Sequence, residues 1–201
     1  MYNYKEILQE SHVIYKQKGS KFLAFSYKVH DESQAMAVLK EIKGKYSDAT
    51  HHCYAMVIGK IQSIEKSSDE GEPSNTAGKP ILRELIKLGI TNCLLVVVRY
   101  FGGTQLGVSG LIEAYGEAAK HCLLQSGIKE LLLYKNYQLS CPYGMENEIF
   151  RLGKQFDAEI FVLEDVNVFT SKIKIPLQNQ QAFENQLNLM YQISCKQLET
   201  T

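Results

Sequence analysis

The stretch Val96-Val97-Val98-Arg99-Tyr100-Phe101-Gly102-Gly103-Thr104-Gln105-Leu106-Gly107, VVVRYFGGTQLG, joins an apolar run to a glycine-rich turn. The continuous apolar run over residues 92–99 is typical of a strand that is covered on both faces. After the turn, apolar residues recur at helical spacing from Val108 to Cys122. The stretch therefore predicts a buried strand, a tight turn and the start of a long helix that ends before Gly127.

The glycines of this turn do not have the spacing of two familiar nucleotide-binding loops. GGTQLG does not fit GxGxxG, and no lysine follows the last glycine as GxxxxGK[ST] requires. Backbone amides freed by Gly102, Gly103 and Gly107 at a helix amino terminus can instead bind an anion. Arg99 adds a donor for phosphate or carboxylate. The alternative is a plain turn in which Arg99 pairs with a carboxylate of the loop 67–79.

The rest of the first half predicts strands mixed with helices. The predicted elements are a strand over 21–30, a helix capped by Asp31, a strand over 51–60, the loop 67–79 and a helix that starts near Pro80 and ends at Gly89. We expect one mixed sheet with helices on one face.

The pattern changes from residue 131 onwards. Strand and helix signals follow in the order βαββαβ, which is the order of the ferredoxin-like split βαβ unit. The predicted class is α+β, with one domain over residues 1–128 and a ferredoxin-like domain over residues 129–201.

A histidine pair and a cysteine open the strand over 51–60. Successive side chains of a strand point to opposite faces, so only His51 and Cys53 share a face. Two ligands do not make a structural zinc site, and we expect no metal. A nucleophile–base pair of Cys53 and His51 is conceivable, but a hydrogen-bonded histidine and a core thiol are the commoner arrangement.

The loop 67–79 contains Asp69, Glu70 and Glu72 but no large apolar residue. These carboxylates suggest an acid–base or divalent-ion cluster, although a solvated mobile loop explains them more simply. A loop of this length inside a compact domain is uncommon and often functional.

The composition excludes few classes of function. Lys plus Arg equals Asp plus Glu at 22 each, so no global charge points to nucleic acid, although a local basic patch is compatible with that balance. Five scattered cysteines without a CxxC favour reduced thiols. No segment is long and apolar enough to span a membrane. We expect a soluble cytoplasmic protein without a cofactor.

Three segments in this order resemble the YigZ/IMPACT family: HHCYAMVIG from His51, SSDEGEPSNTAGKPILREL from Ser67, and VVVRYFGGTQLGVSGLIEAYGEAA from Val96. The resemblance implies a first domain similar to the second domain of ribosomal protein small-subunit five. It implies a tail similar to the last domain of elongation factor G. Eukaryotic members of the family regulate translation initiation.

The resemblance also implies where a shared site lies, although it transfers no activity. The candidate anion-binding or nucleic-acid-binding residues are Lys79, Arg99, Gly102, Gly103 and Thr104. The candidate rim of the site comprises His51, Asp69, Glu70 and Glu72, of which His51 and Glu72 are the candidate catalytic groups.

Three functional hypotheses follow. The first is a protein that binds RNA, the ribosome or a translation factor and regulates translation; the second is a hydrolase or transferase acting on a small anionic substrate; the third is a protein-interaction module. Convergence of His51, Glu72 and Arg99 in a concave pocket favours the enzyme. A broad basic sheet face favours RNA.

Overall fold

The computed structural model describes residues 2–200 of the chain, which form two compact units. The first unit is Tyr4–Leu131, and the second consists of residues 132–200 together with residues 2 and 3. Each unit has its own apolar core. The α+β class predicted from the sequence is confirmed.

The first part of the chain alternates strands with helices. In chain order the elements are β1 (Asn3–Ile7), β2 (Ser11–Gln17), β3 (Ser20–Lys28), α1 (Glu32–Lys45), β4 (His51–Ile58), β5 (Ile64–Ser68), α2 (Gly78–Leu88), β6 (Cys93–Tyr100), α3 (Gly107–Ser126) and β7 (Ile128–Leu132). As predicted, Asp31 caps α1 by accepting a hydrogen bond from the backbone N–H of Gln34. Gly89 ends α2 in the left-handed conformation.

The main sheet of this unit has the strand order β2-β3-β6-β4-β5. Every pairing in it is antiparallel, so the prediction of a mixed sheet is wrong. β1 and β7 form a separate two-stranded sheet. The sequence pattern did not predict β1, β2 or β5, because short edge strands carry polar residues on their open sides.

Helices cover both faces of this sheet, so the prediction of helices on one face is also wrong. On β6, Leu94, Val96 and Val98 belong to the core that includes the buried residues of α1. The alternate residues belong to the core that α2 and α3 complete; they are Cys93, Leu95 and Val97. The prediction that this strand is covered on both faces is confirmed. Helices on one face would leave the other apolar side of β6 exposed to water, so this strand requires helices on both faces of the sheet.

The register of β6 positions the residues singled out in the sequence. Arg99 lies opposite Phe22 of β3 on one side and opposite His51 of β4 on the other. β6 then ends at Tyr100, and the glycine-rich turn leads into α3. Arg99 is thus held at the end of the central strand, between two neighbouring strands.

The second unit contains β8 (Tyr134–Cys141), α4 (Glu146–Gln155), β9 (Glu159–Leu163), β10 (Phe169–Pro176), α5 (Gln180–Leu187) and β11 (Ser194–Thr200). This is the predicted order βαββαβ, and the strands lie in the order β11-β8-β10-β9 with antiparallel pairings. The single strand expected near residues 131–140 is divided between β7 and β8.

Among residues 2–200, no helix combines the length and the apolar character needed to cross a membrane.

Candidate functional site

A cleft of about 430 Å³ opens in the first unit, where β6 ends and α3 begins. Its polar lining consists of Thr50, His51, Glu72, Arg99 and Gln105; its other lining residues are Pro73, Phe101, Leu106, Gly107, Val108 and Leu111. The structure therefore brings together His51, Glu72 and Arg99 from three separate segments of the sequence. This is the convergence stated above as favouring the enzyme hypothesis.

Arg99 is almost fully buried, with 6% of its surface exposed. Its Nη1 donates a hydrogen bond of 2.6 Å to Oε1 of Glu72. The guanidinium carbon lies 5.6 Å from the ring centroids of both Phe22 and Phe101. The pairing of Arg99 with a carboxylate of the loop 67–79, given above as the alternative to anion binding, is thus present. Within residues 2–200, however, the buried Nε of Arg99 has no hydrogen-bond partner.

Glu72 is the centre of a buried polar network. Its Oε1 accepts hydrogen bonds from Arg99 and from the hydroxyl of Tyr115, the latter at 2.8 Å. Burial, Cys53 and Glu72 raise the pKa of Tyr115, so its hydroxyl remains a hydrogen-bond donor. A carboxylate with 3% of its side chain exposed needs such partners to offset its loss of hydration.

His51 presents its Nε2 to this network. Its Nδ1 lies 3.0 Å from the carbonyl oxygen of Glu70. Because a carbonyl only accepts hydrogen bonds, Nδ1 carries the proton of the neutral ring and Nε2 carries a free lone pair. Nε2 lies 3.8 Å from Oε1 of Glu72. This is the arrangement of a histidine that can accept or return a proton in the cleft. The adjacent His52 instead lies 2.9 Å from the carbonyl oxygen of Tyr46.

Cys53 is not arranged as a nucleophile. Its thiol is buried, donates to the carbonyl oxygen of Asp69 at 2.9 Å and lies 3.3 Å from the hydroxyl of Tyr115. Burial raises the pKa of Cys53 to about 12. The thiol is therefore protonated near neutral pH and does not form a nucleophile–base pair with His51. Among residues 2–200, no group of three or more His, Cys, Asp or Glu side chains is placed to hold a metal ion.

The three carboxylates of the acidic loop have different roles. Asp69 accepts hydrogen bonds from the backbone N–H groups of Asn75, Ala77 and Gly78, which orders the loop and the start of α2. Burial alone raises the pKa of Asp69, but these amides outweigh burial and lower it. Glu70 pairs with Lys43 at 2.9 Å. Of these three carboxylates, Glu72 lines the cleft, whereas Asp69 and Glu70 bind partners outside its lining.

Several residues predicted to bind an anion do not line the cleft. The N–H of Gly102 donates to Oγ of Ser20 at 3.2 Å, and a Cβ at Gly102 would lie 1.9 Å from a backbone atom of Gly19. Close packing of two backbones therefore requires this glycine. Lys79, Gly103 and Thr104 are exposed and also lie outside the lining.

The start of α3 lies in the wall of the cleft. The sequence analysis named Gly107 and the helix amino terminus here, but it did not name Gln105, Leu106 or Val108 as site residues. Leu106 occupies the N-cap position, and no side chain there accepts a hydrogen bond from the helix. α3 is 20 residues long, so its first-turn N–H groups carry the positive end of a full helix dipole. Gln105, Leu106, Gly107 and Val108 place this end in the wall of the cleft. The sequence signal for this uncapped end is Leu106, an apolar residue, in place of Ser, Thr, Asp or Asn at the N-cap position.

Comparisons with known proteins agree with the sequence motifs. Residues 18–123, which include the whole lining of the cleft, match the family model of the Impact N-terminal domain. The chain is 40% identical over 134 residues to IMPACT family member YvyE of Bacillus subtilis, a match that covers 65% of this chain and 62% of the relative. It is 35% identical over 150 residues to IMPACT family member YigZ of Escherichia coli, covering 74% of each chain. A crystal structure described as that of a hypothetical protein superposes with a TM-score of 0.69 at 28% identity, covering 99% of this chain and 98% of the other.

Proposed function

Because the chain belongs to the IMPACT family, whose characteristic domain contains the cleft, we propose that the cleft binds an anionic group, phosphate or carboxylate, of a ligand. The observation that carries the proposal is the pairing of an uncapped α3 amino terminus with a buried Arg99 whose Nε lacks a partner among residues 2–200. Both lie in the wall of one cleft.

The charges of the cleft determine where the anion would bind. Glu72 compensates the charge of Arg99, so the guanidinium by itself is not a free anion receptor. The amides of α3 have no such compensation, and they favour negative charge in the first turn of the helix. We therefore place the anion at Gly107 and Val108, with Arg99 as a supporting donor and the apolar wall in contact with the rest of the ligand.

His51 supports the second hypothesis, an enzyme of the hydrolase or transferase class. With Nδ1 held by the carbonyl of Glu70, Nε2 is positioned to remove a proton from a water or a substrate hydroxyl in the cleft. Because the thiol of Cys53 is buried and protonated, we assign the removal of a proton to His51 and not to Cys53. Turnover of a panel of phosphate and carboxylate esters by the wild type, and its loss in His51→Gln, would support the enzyme.

The anion site is tested at Val108, which is 60% exposed in the first turn of α3. Val108→Asp places a carboxylate where the anion would bind, whereas Val108→Asn is a neutral control of the same shape. We expect inorganic phosphate to shift the amide resonances of residues 107–109 in a saturable manner. Val108→Asp weakens this binding about tenfold or more, and Val108→Asn leaves it largely intact. Phosphate that shifts no amide at the start of α3 in the wild type contradicts the proposal.

We further propose translation as the process in which the protein acts, with RNA, the ribosome or a translation factor as its partner. Membership of a family whose eukaryotic members regulate translation initiation supports this. A phosphate of an RNA chain is one anion that the cleft would accommodate. The likenesses of the two units to a ribosomal protein domain and to an elongation factor domain stay predictions, as does the boundary between residues 128 and 129.

A further inference from the structure

The sheet of the second unit has one face that its helices do not cover. The apolar core with α4 and α5 uses alternate residues of the central strands, among them Tyr137 and Leu139 of β8 and Ile173 and Ile175 of β10. The residues between them point to the opposite face. The register identifies a row across all four strands: Lys196 opposite Gln138, Gln138 opposite Lys172, and Lys172 opposite Phe161.

This row is basic and carries an exposed aromatic ring. Lys172 and Lys196 are both exposed, and Phe161 is 45% exposed. Two residues from Lys172 on the same strand, Lys174 places its Nζ 5.1 Å from the centroid of the Phe161 ring. Since neighbouring strands lie about 4.8 Å apart, the three lysines and the ring form one continuous patch.

The positive charge of this patch is only partly compensated. Glu159 lies opposite Lys174 in the register, and the two side chains pair at 3.3 Å. Within the described residues 2–200, neither Lys172 nor Lys196 has a carboxylate at ion-pair distance. The chain as a whole has a formal net charge of zero, so this excess is local. Uncompensated lysines on one face of a sheet suit a polyanionic partner.

We infer that this face of the second unit binds single-stranded RNA. Lys172, Lys174 and Lys196 would contact phosphates, and a base would stack on the exposed ring of Phe161. A flat sheet with an aromatic ring favours single strands, whose bases are free to stack, over a duplex. The inference rests on the proposal that the protein acts on RNA and names a surface separate from the cleft of the first unit.

The test measures binding of a short fluorescein-labelled oligouridylate to the full chain across a salt series. The variant Lys172→Ala/Lys196→Ala removes two phosphate contacts, so the slope of log K against log salt falls by about 1.4, or about 0.7 for each lysine. Phe161→Leu keeps an apolar side chain but removes the stacking surface, and affinity falls about tenfold at every salt concentration. Lys154→Ala, an exposed lysine on α4, is the matched control and leaves both quantities unchanged.

The outcomes separate this inference from the proposed function. A wild-type chain that does not bind the oligouridylate overturns both the RNA proposal and this surface. If the wild type binds, and the Lys172→Ala/Lys196→Ala variant has the same affinity and salt slope, the result overturns the surface alone. The inference is also overturned if polyglutamate displaces the labelled oligouridylate as well as unlabelled oligouridylate does, and Phe161→Leu does not change the affinity. That result indicates a site for acidic protein segments.

Discussion

At the scale of single residues, the chemistry of the cleft depends on which polar atoms already have partners. Arg99 and Glu72 form a buried ion pair, and removing either partner would leave the other charge buried without its counter-ion, at a cost of about 3–5 kcal/mol. The buried Nε of Arg99 has no hydrogen-bond partner among residues 2–200, and the Nε2 of His51 lies 3.8 Å from Oε1 of Glu72. Cys53, the candidate nucleophile, instead contacts the hydroxyl of Tyr115, which donates a hydrogen bond to Glu72.

The reactivity of the cysteines tests which of their thiols are buried in the folded protein. Cys53, Cys93, Cys122 and Cys141 are buried, and burial raises the pKa of Cys53 to about 12. We expect iodoacetamide near neutral pH to label Cys195 alone in the folded protein, as measured by peptide mass spectrometry. Partial burial and Glu184 raise the pKa of Cys195, so its labelling accelerates as the pH rises. Fast labelling of Cys53 in the folded protein would show that its thiol is open to the cleft.

All five cysteines should react in guanidinium chloride, which controls for the reactivity of each thiol.

At the scale of elements, the junction between β6 and α3 determines the geometry of the site. The turn after Tyr100 passes directly against the turn between β2 and β3, where Gly102 meets Gly19. The chain then enters α3 through Gly107, whose φ of 74° suits glycine. Together, the Gly102–Gly19 contact and the conformation of Gly107 lead the chain into α3, whose start lines the same cleft as Arg99.

Gly102→Ala tests the importance of this junction. The added Cβ would meet backbone atoms that have no rotamer to move into, so the free energy of unfolding falls by about 1–3 kcal/mol or more. Gly116→Ala is the matched control because it lies within α3 with no atom within 4 Å of the new Cβ. It raises the unfolding free energy by about 0.5–1 kcal/mol. Urea unfolding of both variants measures the difference, and equal effects would contradict the close packing at Gly102.

At the scale of the whole molecule, the two units have separate cores and separate candidate surfaces. The cleft is built only from residues of the first unit, and the basic face only from residues of the second. The residues of the proposed anion site therefore all belong to the first unit.

A chain ending at residue 131 tests this independence. It keeps both cores of the first unit, so we expect cooperative thermal unfolding by circular dichroism. It should also keep the phosphate-induced shifts at the start of α3. A fragment of residues 129–201 should be less stable, because a smaller chain buries a smaller fraction of its surface. A truncated first unit that is folded but has lost phosphate binding would show that the cleft depends on the second unit.

Local patterns in the amino-acid sequence predicted the buried strand β6, the helices α1, α2 and α3, and the order βαββαβ. They did so because apolar periodicity, caps and glycine ends act within a few neighbouring residues. The prediction that His51, Glu72 and Arg99 share a site came from the family resemblance, which also included Lys79, Asp69 and Glu70.

The surroundings of these residues depend on contacts between distant segments of the chain. The register of β6 between β3 and β4 aligns Arg99 with His51, and no local pattern encodes a pairing between strands so distant in sequence. Three-dimensional contacts draw Asp69 to the backbone amides at the start of α2 and make Gly102 a packing residue. Of the three glycines expected to free amides for an anion, Gly107 lines the cleft, whereas Gly102 and Gly103 do not. Local sequence specifies which groups are available, whereas partners supplied by distant segments determine which of those groups remain free for a ligand.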